Sequence, residues 1–350
     1  MKPVHGTAGS INFTVCSAGS FLLTFLAMST FLAVRQVRQP QGTPSADDFT
    51  VVAEPLPVLG DGQVLVENVY LSVDPYMRQL MDTGEAGLEG RAVGRVVESR
   101  SAEFPVGTTV FHRSGWSTHA VVGAADLRRV DQADQVPLSA YLGVLGGTGL
   151  TAFVGLTRIA RLQPGEDLFV SAAAGGVGSA AGQIARLLGA GRIIGSAGSA
   201  AKVAHLLELG FDAAFNYREG PIDSQLASAA PDGIDVYLDN VGGDHLAAAI
   251  SSLRPHGRVA WSGAIAQYSS APLAAPRNLA EVMFKTLRVE GFLVREHLDA
   301  REPFERFLVP HVQNGSVIVD ETVVDGFGNV VEAFLGVLRG DNTGKMLVRL

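Results

Sequence analysis

Cysteine is nearly missing from this 350-residue chain, in which Cys16 stands alone. One thiol excludes a disulfide framework, cysteine-ligated structural zinc and iron–sulfur clusters together. Histidine supplies no substitute. Beyond the N-terminal segment, His112, His119, His205, His245, His256, His297 and His311 form no H-x-E or H-x₃-H cluster. Positive charge is also short. A formal net charge of −8, with no basic run interleaved with aromatics, argues against a nucleic-acid partner. Charged residues are only 18% of the chain and hydrophobic ones 47%, so a substantial core forms and wholesale disorder is excluded. Internal repeats and low-complexity linkers are absent, and the length suits two domains of ordinary size.

What is present centres on Asp167 to Ser179, DLFVSAAAGGVGS. An apolar run (Leu168-Phe169-Val170) meets small residues and passes into a helical pattern over Gly178 to Leu188. Strand, tight turn and helix in that order are the setting of a dinucleotide-binding loop. Small residues let a pyrophosphate approach bare backbone. Val177, Gly178 and Ser179 would then present N–H groups at a helix N-terminus, where the dipole favours an anion. The pattern reads A-x-G-x-x-G, with Ala173 in place of the first glycine, and a ligand-free strand–helix turn is the alternative.

The second strand, Arg192 to Ser196, is apolar, as in a buried parallel sheet. An NAD enzyme carries Asp or Glu after this strand to hold the ribose 2′-hydroxyl. Here the turn runs Ala197-Gly198-Ser199-Ala200-Ala201-Lys202, without an acid. A carboxylate would repel a 2′-phosphate, whereas the Ser199 hydroxyl and Lys202 ammonium would bind it. Lysine is scarce (Lys2, Lys202, Lys285 and Lys345), which gives this one weight beside the alternative of a solvated helix-start lysine. The expected cofactor is NADP(H).

The N-terminus is the one long apolar stretch, Ile11 to Val34. It can be read as a signal peptide with Lys2 as n-region and Ala27-Met28-Ser29 as cleavage site. It can also be a membrane anchor, or residues 1–27 can be a mis-assigned start before Met28. An NADPH consumer has little use outside the cell, so a start at Met28, a cytoplasmic location and no membrane partner are expected.

Short β-like runs follow at Phe31–Arg35, Phe49–Val52, Gln63–Ser72, Val93–Ser99, Thr108–Phe111 and Trp116–Val122, separated by turn signals. From Thr151 onward strands at 167–171, 192–196, 213–216, 235–238, 257–261 and 288–292 alternate with helices such as Ala201–Leu209 and Gly243–Leu253. This is the pattern of a doubly wound parallel α/β sheet. The tail offers a helix (Arg301–Gln313), a strand (Ile318–Val324), a helix (Gly328–Leu338) and a last strand (Lys345–Arg349).

These motifs resemble one family in order. Leu71-Ser72-Val73-Asp74-Pro75-Tyr76-Met77-Arg78, Ala172 to Gly182, Gly210-Phe211-Asp212 with Phe215-Asn216-Tyr217, Asp239-Asn240-Val241-Gly242-Gly243, Ser262-Gly263-Ala264-Ile265 with Tyr268, and Arg339 to Lys345 carry it. The chain resembles the zinc-free medium-chain dehydrogenase/reductases, in the NADP-dependent prostaglandin reductase / leukotriene hydroxydehydrogenase (alkenal/one oxidoreductase) group. The resemblance covers Met28 to Leu350. It implies a β-rich GroES-like catalytic domain over 28–142 with a return segment 299–350, a Rossmann NADP-binding domain over 143–298, and a homodimer.

By the same resemblance, Gly175, Gly176, Val177, Gly178 and Ser179 would hold the pyrophosphate, and Lys202 with Tyr217 the 2′-phosphate. Asn240 would sit near the adenosine side or the ribose. Ser262, Gly263, Ala264, Ile265 and Tyr268 would line the nicotinamide half. Phe292, Leu293 and Val294 would flank the ring by backbone contacts, and Asn342 would close over the cofactor. Without the resemblance, Tyr217 reads equally as a half-buried ring, Asn342 as a turn residue, and Phe292 and Val294 as core. Three departures point to a different substrate shape: a shortened Asp82–Gly90 segment, Gly147 where a bulkier residue is usual, and His119 where an aromatic follows Trp116.

Without a Lewis acid, alcohol–ketone interconversion loses several kcal/mol of transition-state stabilisation. Hydride addition to the β-carbon of an enone or enal fits better, with charge collecting on the carbonyl oxygen. The cofactor's ribose hydroxyl and Tyr268 are the candidate donors, or Tyr268 packs the cofactor and water is the acid. A zinc-free NADPH quinone reductase, or a membrane-tethered cofactor-binding scaffold without catalysis, are the alternative readings.

Overall fold

The computed structural model describes residues 30–83, 89–268 and 275–350. The leader and the expectations placed on residues 1–27 lie outside these, as does much of the shortened segment after Asp82. A hairpin of β1 (Thr30–Gln36) and β2 (Phe49–Pro55) comes first. Next are β3 (Gln63–Ser72), the single turn α1 (Met77–Leu80), β4 (Ala92–Ser99), β5 (Thr109–His112), β6 (His119–Gly123) and β7 (Arg128–Arg129). The strand expected from Trp116 starts only at His119. Trp116 has left-handed backbone (φ 63°), which no strand tolerates, and its buried ring stacks on Phe49 and meets Phe334 edge-on.

The second half alternates as expected: α2 (Gly147–Val154), β8 (Leu168–Val170), α3 (Gly176–Leu187), β9 (Ile193–Ala197), α4 (Ala200–Glu208), β10 (Ala213–Asn216), α5 (Ile222–Ala229), β11 (Ile234–Asp239), α6 (Gly243–Ser252), β12 (Leu253–Trp261), α7 (Ala280–Phe284) and β13 (Arg288–Gly291). Among the described residues these six strands form a parallel sheet in the order β10-β9-β8-β11-β12-β13. Counted from β8 that is 3-2-1-4-5-6, the doubly wound order, whose switch point lies between β8 and β11. Both strands are buried on both faces, with Phe169 stacked on Tyr237 at 4.9 Å.

The chain then runs through α8 (Arg301–Gln313), β14 (Glu321–Asp325), α9 (Val330–Arg339) and β15 (Lys345–Arg349). β14 and β15 leave the parallel sheet and extend the first one, in the order β14-β15-β3-β4-β5-β7 with β6 on β3. The strand expected from Ile318 begins at Glu321, since Ile318 instead takes the Gln183 side-chain carbonyl on its N–H.

His112 is wholly buried in this first sheet. Its Nδ1 accepts from the Ser114 N–H, so Nε2 carries the proton that is donated to Asn68 Oδ1 at 2.7 Å. Burial pushes its pKa down to about 4. The ordinary value in the unfolded chain is about 6.5. Stability from the neutral ring is therefore full above about pH 6.5 and is lost as pH falls toward 4. Urea unfolding at pH 7 and 4.5 should show a smaller acid-induced loss in His112→Gln, by up to about 1.4 kcal/mol per pH unit.

Candidate active site

β8 ends in a forced turn. Ala172 has left-handed backbone (φ 47°), and Gly175 in extended backbone caps α3. A Cβ on Gly178 would stand 2.5 Å from both the Ala172 carbonyl oxygen and the Ala173 Cα. Only glycine lets the loop lie this close to the helix. α3 begins two residues earlier than expected, which corrects one expected contact. The Ser179 N–H bonds to the Gly175 carbonyl at 2.9 Å and is not free, so the open donors of the first turn are those of Gly176, Val177 and Gly178.

The segment after α9 straps this loop. Gly344 N–H donates to the Ala174 carbonyl at 2.8 Å, and Asn342 Nδ2 donates to the Gly344 carbonyl at 2.7 Å. Lys345 follows, with its Nζ buried on the Val73 carbonyl and 3.2 Å from Asp74 Oδ1. Burial disfavours an ionised Asp74, but Lys345 and Arg91 outweigh it and hold the carboxyl below the usual range.

At the end of β9, Ser199 caps α4 by accepting the Lys202 N–H, and Lys202 Nζ reaches the Gly340 carbonyl at 2.7 Å. Tyr217 and Arg218 come from the end of β10, and Arg218 lies over the Tyr217 ring. Burial and the Arg218 charge lower the Lys202 pKa, against the pull of Asp341. Two cations meeting in a corner whose Asp341 carboxylate is already paired with Arg339 suit a dianionic phosphate. Arg218 was not singled out from the sequence. The available signal was a cation directly after Tyr217, on the strand that must neighbour β9.

At the switch point, Asp239 Oδ1 accepts from Tyr237 Oη and from the Val241 and Gly242 N–H groups. Asn240 donates to the Ser171 carbonyl at 2.7 Å and accepts from Ser262 Oγ at 2.7 Å. These bonds tie the ends of β8, β11 and β12 into one rim. Tyr268 Oη accepts the Ala264 N–H at 3.3 Å, and burial raises its pKa, so the phenol stays protonated.

A cleft of about 490 Å³ runs along this rim. Gly175, Gly176, Val177, Gly178, Lys202, Tyr217, Asn240, Ile265, Tyr268 and Asn342 line it, as does Arg218. Other expected residues are not in its lining. Ser179 is buried within α3, Ser199 serves as a helix cap, and Ser262 bonds to Asp239 and Asn240. Gly263 and Ala264 turn behind Tyr268, where the Gly263 carbonyl takes the Trp261 indole. Phe292 packs over Gly155 and edge-on to His297, Leu293 is half exposed, and neither they nor Val294 line the cleft. The fit to a dinucleotide rests on the Gly178 cradle, the open N–H groups and the Lys202–Arg218 corner.

Residues 33–130 match the family described as N-terminal domain of oxidoreductase, and 176–312 the one described as zinc-binding dehydrogenase. Prostaglandin reductase 1 of Bos taurus is 42% identical over 315 residues, covering 88% of this chain and 95% of the relative. The chain is a medium-chain dehydrogenase/reductase of the prostaglandin reductase group. The 2-alkenal reductase (NADP(+)-dependent) of Nicotiana tabacum is 37% identical, covering 83% of this chain and 88% of its own. The crystal structure of CurA in complex with NADPH from Vibrio vulnificus superposes with a TM-score of 0.83 at 33% identity, over 91% of this chain and 98% of that one. Among the described residues of this dehydrogenase/reductase, no three His, Cys, Asp or Glu side chains are grouped as metal ligands.

Lys202→Ala should raise the Michaelis constant for NADPH by roughly tenfold to a hundredfold, the worth of one charge-assisted contact. NADH turnover should barely move. Steady-state kinetics with both cofactors checks this, and equal effects would make Lys202 structural.

Proposed function

We propose that this enzyme reduces the C=C bond of α,β-unsaturated ketones and aldehydes with NADPH, without a metal. The observation that carries the reading is one cleft that joins the Lys202–Arg218 corner to the protonated Tyr268. The names of the relatives support both the cofactor and the reaction class. When bound, NADPH supplies the hydride. Gly176 to Gly178 hold its pyrophosphate with backbone N–H groups, Lys202, Tyr217 and Arg218 hold its 2′-phosphate, and Asn342 closes over it. Tyr268 Oη stabilises the charge that collects on the carbonyl oxygen, or hands its proton to the α-carbon.

Sheet membership supports a division into a catalytic domain of residues 28–142 with 299–350 and a cofactor domain of 143–298. β13 is the edge of the parallel sheet, and Met283 and Phe284 beside it are 68% and 76% exposed, which supports a homodimer through this edge. Among the described residues no helix is long and apolar enough to cross a membrane. A need for NADPH supports a cytoplasmic location. Product analysis tests the reaction: 3-nonen-2-one should give the saturated ketone with EDTA present, and an allylic alcohol would refute the reading. Turnover of quinones with none of enones would favour a quinone reductase, and no turnover of either a non-catalytic scaffold.

A further inference from the structure

Tyr217 lines the cleft, and among the described residues its phenol makes no hydrogen bond, so contacts to the ring decide where the hydroxyl points. Three groups bracket that ring. Gly198 lies against it, where a Cβ would stand 3.0 Å from Oη and 3.3 Å from Cε1. The Arg218 guanidinium is 5.7 Å from its centroid. The His245 ring meets it edge-on, with centroids 5.3 Å apart and an interplanar angle of 72°.

Gly198 follows β9 and Arg218 is the next residue in the chain, but His245 comes from the first turn of α6, beyond the switch point. Its place is set by the backbone before it. Asp239 Oδ1 holds the Val241 and Gly242 N–H groups, and Gly242 takes left-handed backbone (φ 77°) to turn the chain into α6. The His245 ring is buried, and its Nε2 has no hydrogen-bond partner among the described residues. That nitrogen anchors nothing, so the ring acts by its shape. Burial pushes its pKa down to about 4 against the pull of Asp244, so at neutral pH it brings no charge to a phosphate. Nor does it line the cleft. What it passes to a ligand there goes through the Tyr217 ring.

We propose that His245 is a positioning residue, whose ring holds Tyr217 so that the phenol donates to the cofactor's 2′-phosphate beside Lys202 and Arg218. Edge-on aromatic pairs at this separation have a preferred angle and a modest energy of their own. NADH lacks the phosphate and draws nothing from the contact. The proposal rests on the placing of the 2′-phosphate at Lys202, Tyr217 and Arg218 above, and adds the residue that aims one of the three.

Fluorescence titration of the full-length protein with NADPH and with NADH tests it, with circular dichroism melting as the check on folding. His245→Leu fills the space without a ring and should raise the Kd for NADPH by roughly threefold to tenfold, the worth of one aromatic pair. The Kd for NADH should stay within about twofold. His245→Phe, which keeps a ring, should restore NADPH binding to near the parent value. Tyr217→Ala should weaken NADPH binding by roughly tenfold or more. In that background His245→Leu should add no further loss, because the residue it acts through is gone. An equal loss for NADPH and NADH, a loss that persists in Tyr217→Ala, or a His245→Phe as weak as His245→Leu overturns the proposal. Unchanged NADPH binding in Tyr217→Ala overturns the placing of the phosphate at Tyr217 with it.

Discussion

Gly178→Val should weaken NADPH binding by at least roughly a hundredfold and leave the fold intact. The added Cβ would sit 2.5 Å from the Ala172 carbonyl oxygen and the Ala173 Cα, and both are backbone atoms that cannot swing aside. The loop must lift from α3, so the N–H groups of Gly176 to Gly178 no longer converge. Two charge-assisted hydrogen bonds lost together amount to about 3–5 kcal/mol. Fluorescence titration with NADPH measures the loss, and circular dichroism checks the fold. Gly328→Ala is the control, because nothing stands within 4 Å of a Cβ there. Equal affinity in Gly178→Val and the parent would show that the loop does not hold the pyrophosphate.

The second large effect is expected at the other end of the cleft. Tyr268→Phe should lower kcat by roughly tenfold to a thousandfold with little change in the NADPH Michaelis constant. Burial raises the Tyr268 pKa above the ordinary 10, so its proton is present across the neutral range. The parent rate should therefore be flat from about pH 6 to 9 and fall only at higher pH, as the phenol ionises. Stopped-flow measurement of single-turnover NADPH oxidation across this range checks both statements. A saturated product with unchanged kcat in Tyr268→Phe would keep the reaction and assign the proton to water.

Much of the architecture was legible because its signals are local. β3, β15 and α8 begin and end where side-chain alternation, turn residues and helical periodicity place them. The strand–loop–helix unit at Leu168 to Leu187 was readable for the same reason, as was the acid-free turn at Ser199 to Lys202. What escaped depends on tertiary placement. Trp116 takes left-handed backbone because its ring is needed between Phe49 and Phe334, a demand that no neighbour in sequence announces. Arg218 joins Lys202 only once β10 pairs with β9. The Ser262–Ala264 and Phe292–Val294 segments follow directly on β12 and β13. Which side of a strand end faces the cleft is decided by packing, such as Phe292 over Gly155.

The return of β15 into the first sheet has a consequence for how the protein is made. β15 lies between β14 and β3, so Leu347, Val348 and Arg349 pair with Ser72, Leu71 and Tyr70, 275 to 279 residues away. During synthesis the first strands leave the ribosome early, but their inner partner follows only after the whole parallel sheet. The parallel sheet between them can close while translation continues, at about 5–20 residues per second. The half translated first is thus the half completed last. Until β15 emerges, Tyr70 to Ser72 of β3 lack that partner and leave unpaired hydrogen-bonding groups on an apolar strand, the kind of edge that recruits chaperones or aggregates.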